Sequence, residues 1–422
     1  MLGGVFASDK RKGSAFQRDP SRFNPLTAQG RVSEGGFTMK RSTERILTTH
    51  VGSLARPVSL LDIMKEKEND RPYDHAEFDR EVKAAVADRV RHQVECGIDI
   101  VADGEMSKVM FVDYVKDRLG GYEEDEAPKG QPPSWKAEID MFPEYYADYM
   151  KKYASTVARR KTIVATGPIT YIGQELLQID IDNLKAAVEG LDVTEIFMPS
   201  NGPSGFGENR YYSSREEYVQ AVAEAMRQEY LGIVEAGFIL QIDDPWLIGA
   251  LSDPTKPIET REQAAMQHVE IVNHALRGIP EDRVRHHTCY GLNHGPRLTD
   301  IDLKDAMKFA FRINAGAYSF EVMNPRHMHE WRQLEEIGVP EGKVLIPGLL
   351  GHANNYVEHP ELIAEYICNY ASIVGRENVI AGADCGFSSR ASYAPEVHPT
   401  VVWPKFEALA EGARIASAKL WK

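Results

Sequence analysis

The side chains of this sequence best suited to chemistry close short apolar runs: His287-Thr288-Cys289, then Glu321, then Cys385. Residues i and i+2 of a strand share a face, so His287 and Cys289 can enter one cavity together. Glu321 follows Cys289 by 32 residues and Cys385 follows Glu321 by 64, close to one and two strand-plus-helix units. One imidazole nitrogen, two thiolates and one carboxylate suit zinc, a borderline-soft tetrahedral ion that favours N and S donors. A cysteine standing alone is most often a buried apolar residue; placement in phase at three strand ends argues for a metal instead. The remaining candidates do not join. Cys368 lies on the helical apolar period of ELIAEYICNY and Cys96 precedes the helix-stopping Gly97, so both belong to the core. His286 should point away from His287, and His327 and His329 are expected in a loop as surface or substrate-adjacent residues.

Groups spread so widely along a chain need a scaffold that returns each to one place. From residue 46 onward, apolar runs alternate with longer amphipathic stretches, which predicts repeated βα units around a parallel sheet. The runs are ILTTHVGS, IDIVADGE, TIVATGP, VTEIFMPS, FILQIDDP, RVRHHTCY, AYSFEVMNP, KVLIPGLL and NVIAGADCG, nine candidates for the eight places of a (β/α)8 barrel. VTEIFMPS is set aside as an insertion, because its neighbours carry polar residues at their C-terminal ends and it ends in Pro199, Ser200 and the loop NGPSGFGENRYY. The ligands then fall on the last strands, six to eight, with KVLIPGLL between the final two. AEFDREVKAAVADRVRHQVECG and REEYVQAVAEAMRQEYLGIVEAG read as helices with a glycine where each should stop. In such barrels the strand ends surround one mouth. Ser53, Glu105, Asp243 and Asp244 stand at further ends of this kind.

The 422 residues, 43% hydrophobic and 27% charged, fit one large domain with insertions. A net charge of −14 repels nucleic acid and anionic lipid, and no basic cluster overrides it. There is no run of about 18 apolar residues to span a membrane and no apolar secretory signal, so a cytoplasmic location is expected. Four cysteines give no disulfide framework. Residues 1–40 lack a sustained hydrophobic period and are expected as a flexible, disordered tail, with the barrel over 41–422. Met39 stands where an internal translation start would leave the barrel whole. A homo-oligomer is left open.

The motifs THVGSL, VADGEMSK, ATGPIT, LQIDDP, HTCY, EVMNPRH and GADCGF, in this order over residues 46–415, resemble the C-terminal catalytic barrel of cobalamin-independent methionine synthase and the short proteins made of that barrel alone. The resemblance implies a single TIM barrel of the methionine synthase and uroporphyrinogen decarboxylase type. It implies zinc on His287, Cys289, Glu321 and Cys385, with Val51, Gly52, Ser53, Glu105 and Asp243 holding homocysteine or a similar thiol. It also implies transfer of a methyl group to that thiol from an alkyl donor, as in methionine biosynthesis. Carboxylates can pair with an α-ammonium, and backbone N–H groups near Ser53 can take an α-carboxylate.

Two positions depart from the family pattern, both on the donor side. The tryptophan that stacks on folate after TGPVT is replaced by Gln174 in TGPITYIGQ, and the family's Asp-x-His is replaced by GLLGHANN. There Gly351 stands where the Asp belongs and the catalytic histidine, His352, is offset by one. Methylfolate as donor is therefore in question. Alternatives are an epoxyalkane:coenzyme M transferase, which resembles the same zinc barrel with another thiol, and a zinc-binding barrel without catalysis. A hydrolytic zinc site usually keeps three ligands and an open water position rich in His and carboxylate, and two cysteines argue against it.

Overall fold

The computed structural model of the chain describes residues 38–126, 133–152, 156–157, 161–291 and 295–422. The strands, in chain order, are β1 (Leu47–Thr48), β2 (Ile100–Val101), β3 (Leu119–Glu126), β4 (Lys161–Tyr171), β5 (Glu195–Asn201), β6 (Glu208–Asn209), β7 (Ile239–Asp243), β8 (Val284–Thr288), β9 (Ala317–Phe320), β10 (Val344–Pro347) and β11 (Ile380–Ala381). Six of them form one parallel sheet in the order β2-β5-β7-β8-β9-β10. β1 pairs in parallel with β11, and single bridges from Thr49 to Ile100 and from Leu345 to Val379 join this pair to both edges of the sheet. Eight parallel strands thus close into a barrel, which leaves no free edge.

Helices return the chain between strands. His75–Glu95 opens on Asp74, whose side chain accepts the Glu77 N–H, and the chain leaves it through Gly97 at φ 83°. Arg215–Glu235 opens on Ser214 in the same way and gives out at Gly237, φ 95°. Both stops need a left-handed residue, which glycine adopts without steric cost.

The third barrel strand corrects the sequence reading. β5, within VTEIFMPS, is the strand between β2 and β7, whereas β4, taken as the third strand, pairs antiparallel with β3 and parallel with β6 outside the barrel. Burial explains the exchange. β5 is buried at every position but one, as a strand covered on both faces must be, while β4 keeps exposed residues along its length. The barrel strands bearing His287, Glu321 and Cys385 are the fifth, sixth and eighth of the eight, not the sixth to eighth as expected, since only four strands precede β8 in the ring and β10 stands between the last two.

Residues 1–37 of the expected tail lie outside those described. Met39 and Lys40, placed in that tail, belong to the barrel: the Met39 N–H donates to Asp282 O and the Lys40 N–H to Glu195 Oε1, each at 3.0 Å. The Met39 side chain packs with Leu47, Ile100, Phe197, Ile239 and Ile380, which lie toward the strand starts. It stops the N-terminal end of the barrel, opposite the mouth. Among the described residues no helix is long and apolar enough to cross a membrane.

Candidate metal centre and substrate pocket

The register of the barrel sets His287. It pairs with Asp243 on one side and Ser319 on the other, so these three side chains stand at one level of adjacent strands. The His287 Nδ1 lies 3.0 Å from Ser319 Oγ, and its Nε2 is buried without a hydrogen-bond partner among the described residues. One nitrogen is tied and the other idle. Burial, with the Arg285 and His286 side chains nearby, lowers its pKa to about 3, so the ring is neutral at pH 7 and the idle nitrogen carries a lone pair.

The donor atoms of His287, Cys289 and Cys385 all lie within 4.8 Å of one another and all three residues are buried. The two sulfurs are 3.5 Å apart, too far for a disulfide of about 2.05 Å. Two sulfurs at about 2.3 Å from one tetrahedral zinc would sit roughly 3.8 Å apart, so a small adjustment accommodates the ion. The Cys289 contact and burial raise the Cys385 thiol well above its ordinary pKa. Without a cation this thiol keeps its proton; a dication at the three donors would release it. The residues present fit zinc.

Glu321 and His352 join a neighbouring group. With Asp384 they place donor atoms within 4.8 Å of one another, all buried. Glu321 Oε2 accepts the Tyr290 N–H at 3.1 Å, and Oε1 lies 3.3 Å from Arg297 Nη2. Burial alone would raise the Glu321 carboxyl; Arg297 and other cations more than offset it and hold it below its ordinary pKa. His352 Nε2 is 3.3 Å from Gly291 O, and Nδ1 is buried without a partner among the described residues. Strand alternation would have turned His352 away unless the strand bulged. β10, however, ends at Pro347, so the loop rather than the pleat aims this ring.

The expected substrate residues come together beside these groups. The Gln241 amide donates to Val51 O at 2.5 Å and to Asp243 Oδ1 at 2.6 Å, and is itself oriented by Arg285 Nε on its oxygen at 2.6 Å. Gly52 has φ 136°, and a Cβ there would lie 2.7 Å from Pro199 Cγ and 3.0 Å from Glu105 Oε1, so only glycine lets this turn meet the carboxylate. Glu105 itself has φ 58°, rare for a residue with a side chain; Arg56 on its carbonyl at 2.8 Å and its own N–H on Asp103 Oδ1 at 2.9 Å hold it there. Glu105 Oε2 is buried without a partner among the described residues. Burial, and Glu105 as a neighbour, raise Asp243 well above the carboxylate range. Ser53 packs under the turn after Cys385, where a Cβ on Gly386 would strike its Oγ.

Other candidates lie elsewhere. Asp244 faces out of the barrel between His268 Nε2 at 2.8 Å and His286 Nε2 at 3.0 Å. His327, expected as a surface or substrate-adjacent loop residue, is 3% exposed; it stacks on Tyr290 and bonds Glu330 at 2.8 Å and Asp300 at 3.0 Å, a polar cage that follows no sequence period. Ser319 was overlooked although it stands two residues before Glu321 on the same face. Arg297, in an irregular loop, offered no signal.

Residues 46–398 match the catalytic domain of cobalamin-independent synthase. A methionine synthase of Saccharolobus solfataricus is 23% identical over 379 residues, 88% of this chain and 95% of that protein. One of Sulfolobus acidocaldarius is 22% identical over 346 residues, 80% of this chain and 85% of its own length. The solved structure of a B12-independent methionine synthase from Shewanella, in complex with selenomethionine, superposes with a TM-score of 0.67 at 19% identity, covering 89% of this chain and 99% of that one. The fold is shared, and the family match spans both the paired donors and the carboxylates that face them: this chain belongs to the cobalamin-independent synthase catalytic-domain family.

Proposed function

We propose that the chain methylates the sulfur of homocysteine, as a zinc-dependent thiol S-methyltransferase of the methionine-synthase kind. The observation that carries this reading is the meeting, at one barrel mouth, of His287, Cys289 and Cys385 with the buried carboxylates Glu105 and Asp243. Zinc, when bound by the first three with Glu321 as exchangeable fourth donor, supplies the charge that turns a thiol of pKa about 8.5 into a thiolate at pH 7.

The chain's own residues do the rest. Ser319 fixes the His287 ring so that Nε2 faces the donors. Glu105 as a neighbour disfavours a charged Asp243, and an α-ammonium between the two carboxylates relieves that repulsion. A sulfonate thiol such as coenzyme M carries no such cation, which favours homocysteine over the epoxide-opening alternative. The sulfur then attacks the methyl carbon in line; the new S–C bond forms as the donor leaves with its electron pair. His352, buried beside Glu321, is the group placed to relay a proton to a leaving nitrogen; burial lowers its pKa, so it must first take that proton up.

Gln174 bears on the donor. It opens the helix Gln174–Val188 and its amide donates to Tyr171 O at 3.2 Å. An amide there cannot supply the stacking of about 0.5–1.5 kcal/mol that an aromatic ring gives a pteridine. We therefore expect weaker turnover with methyltetrahydrofolate than with a pre-activated donor such as a methylcorrinoid. The test is a panel of thiols against methyl donors, scored for methyl thioether by mass spectrometry. Methionine from homocysteine supports the proposal; no thioether from any pairing contradicts it, and efficient folate turnover that survives His352→Ala removes the donor argument.

A further inference from the structure

Along β7 and β8 the inward side chains stand at two levels. Asp243 and His287 form the upper one; Gln241 and Arg285, two residues earlier and paired in register, form the lower. Arg285 is buried and reaches across the interior to the end of β1, where Nη1 donates to Thr49 Oγ1 at 3.0 Å and Nη2 to His50 O at 2.5 Å. Its Cζ lies 3.4 Å from the Phe197 ring centroid, and its Nε donates to Gln241 Oε1 at 2.6 Å. A guanidinium has no acceptor, so the Gln241 oxygen must face it and the amide NH2 must face away. That NH2 meets Val51 O at 2.5 Å and Asp243 Oδ1 at 2.6 Å. One cation thus fixes which end of the amide looks up at the substrate pocket, and it grips the chain just before Val51 as well.

We infer that Gln241, locked in one orientation by Arg285, is a positioning residue that makes the pocket select a thiol bearing an amino group. The inference rests on the homocysteine reading above and deepens it. An ammonium has three hydrogens to place. Glu105 Oε2, buried without a partner among the described residues, can take one; the second oxygen of Asp243 and the remaining lone pair of Val51 O can take the others. Those last two acceptors lie at the ends of separate strands, β7 and β1, and Gln241 is the group that bonds both. With the amide turned over, its oxygen would face two other acceptors and drive them apart. The residue type suits the place. A carboxylate would satisfy Arg285 but donate nothing to Val51 and Asp243, and an apolar chain would leave a buried guanidinium N–H without its partner.

The test is calorimetric titration of the zinc-loaded full chain with homocysteine and with γ-mercaptobutyrate, the same thiol acid without the amino group. The parent prefers homocysteine. Gln241→Met weakens homocysteine about tenfold, the size of one lost hydrogen bond to a charged group, and leaves γ-mercaptobutyrate within about twofold. Arg285→Met frees the amide to turn over and produces the same selective loss. Arg285→Lys keeps a donor for the amide oxygen and keeps the preference. A Gln241→Met protein that loses both thiols alike would overturn the inference, since the amide would then only support the packing of the barrel. So would a methionine variant at either position with the parent's preference intact, or an Arg285→Lys protein that has lost it. Should one methionine variant not fold, the other decides together with Arg285→Lys. A parent that binds the two thiols equally would instead sink the homocysteine reading beneath.

Discussion

A buried histidine with one nitrogen on a serine hydroxyl and the other without a partner is costly unless something else occupies it. That is the state of His287, and the two cysteines beside it complete a donor set. Cys289→Ser or Cys385→Ser should therefore lose zinc, with metal content by mass spectrometry falling from about one per chain toward zero; both variants retaining the full complement would remove the assignment. At Asp243 the expectation separates substrate from metal. Asp243→Asn should raise KM for homocysteine about tenfold or more while zinc content stays constant, because the amide can no longer pair with an ammonium. An unchanged KM would place the amino group elsewhere. These residues were legible because strand alternation and the βα period apply to them. Glu321 was legible in position, yet its partner Arg297 was not, since a loop residue at positive φ follows no period.

Between residue and barrel, local elements decide which strand goes where and which loop is braced. The misassigned third strand shows the limit of polar endings as a criterion: Ser200 and Asn201 close β5 as fully as other strands are closed, and near-continuous burial was the better sign. The loop brace at His327 gives an element-scale expectation. Burial alone would lower this histidine, but the hydrogen bonds it donates to Asp300 and Glu330 more than offset it and raise its pKa to about 9. A group raised above its unfolded value of about 6.5 stabilises the fold fully below that pH, and the contribution is lost as pH rises through 9. The size is about 3 kcal/mol by linkage. Thermal unfolding should thus show a midpoint that falls between pH 6.5 and 9, and His327→Gln should flatten that fall; an identical slope in both proteins would dismiss the brace. At the opposite end, Met39→Ala leaves a void beneath Phe197 and Ile239 and should cost about 2–5 kcal/mol in denaturant unfolding. A loss under half a kilocalorie would mean that Met39 does not stop the barrel.

At the scale of the molecule, a closed ring of eight parallel strands brings residues from positions 51 to 385 to one mouth, which no shorter-range fold could do. Closure itself was legible as a count of βα units, whereas the antiparallel excursion of β3 and β4 was not, because an inserted strand has the same alternation as a barrel strand. The central claim is that this mouth binds zinc through two cysteines and presents it to a thiol. X-ray absorption at the zinc edge, with and without homocysteine, tests that claim most directly. The account predicts two sulfurs at about 2.3 Å in the free protein and a third when homocysteine is added. A shell of nitrogen and oxygen alone, or a sulfur count that homocysteine leaves unchanged, would contradict it.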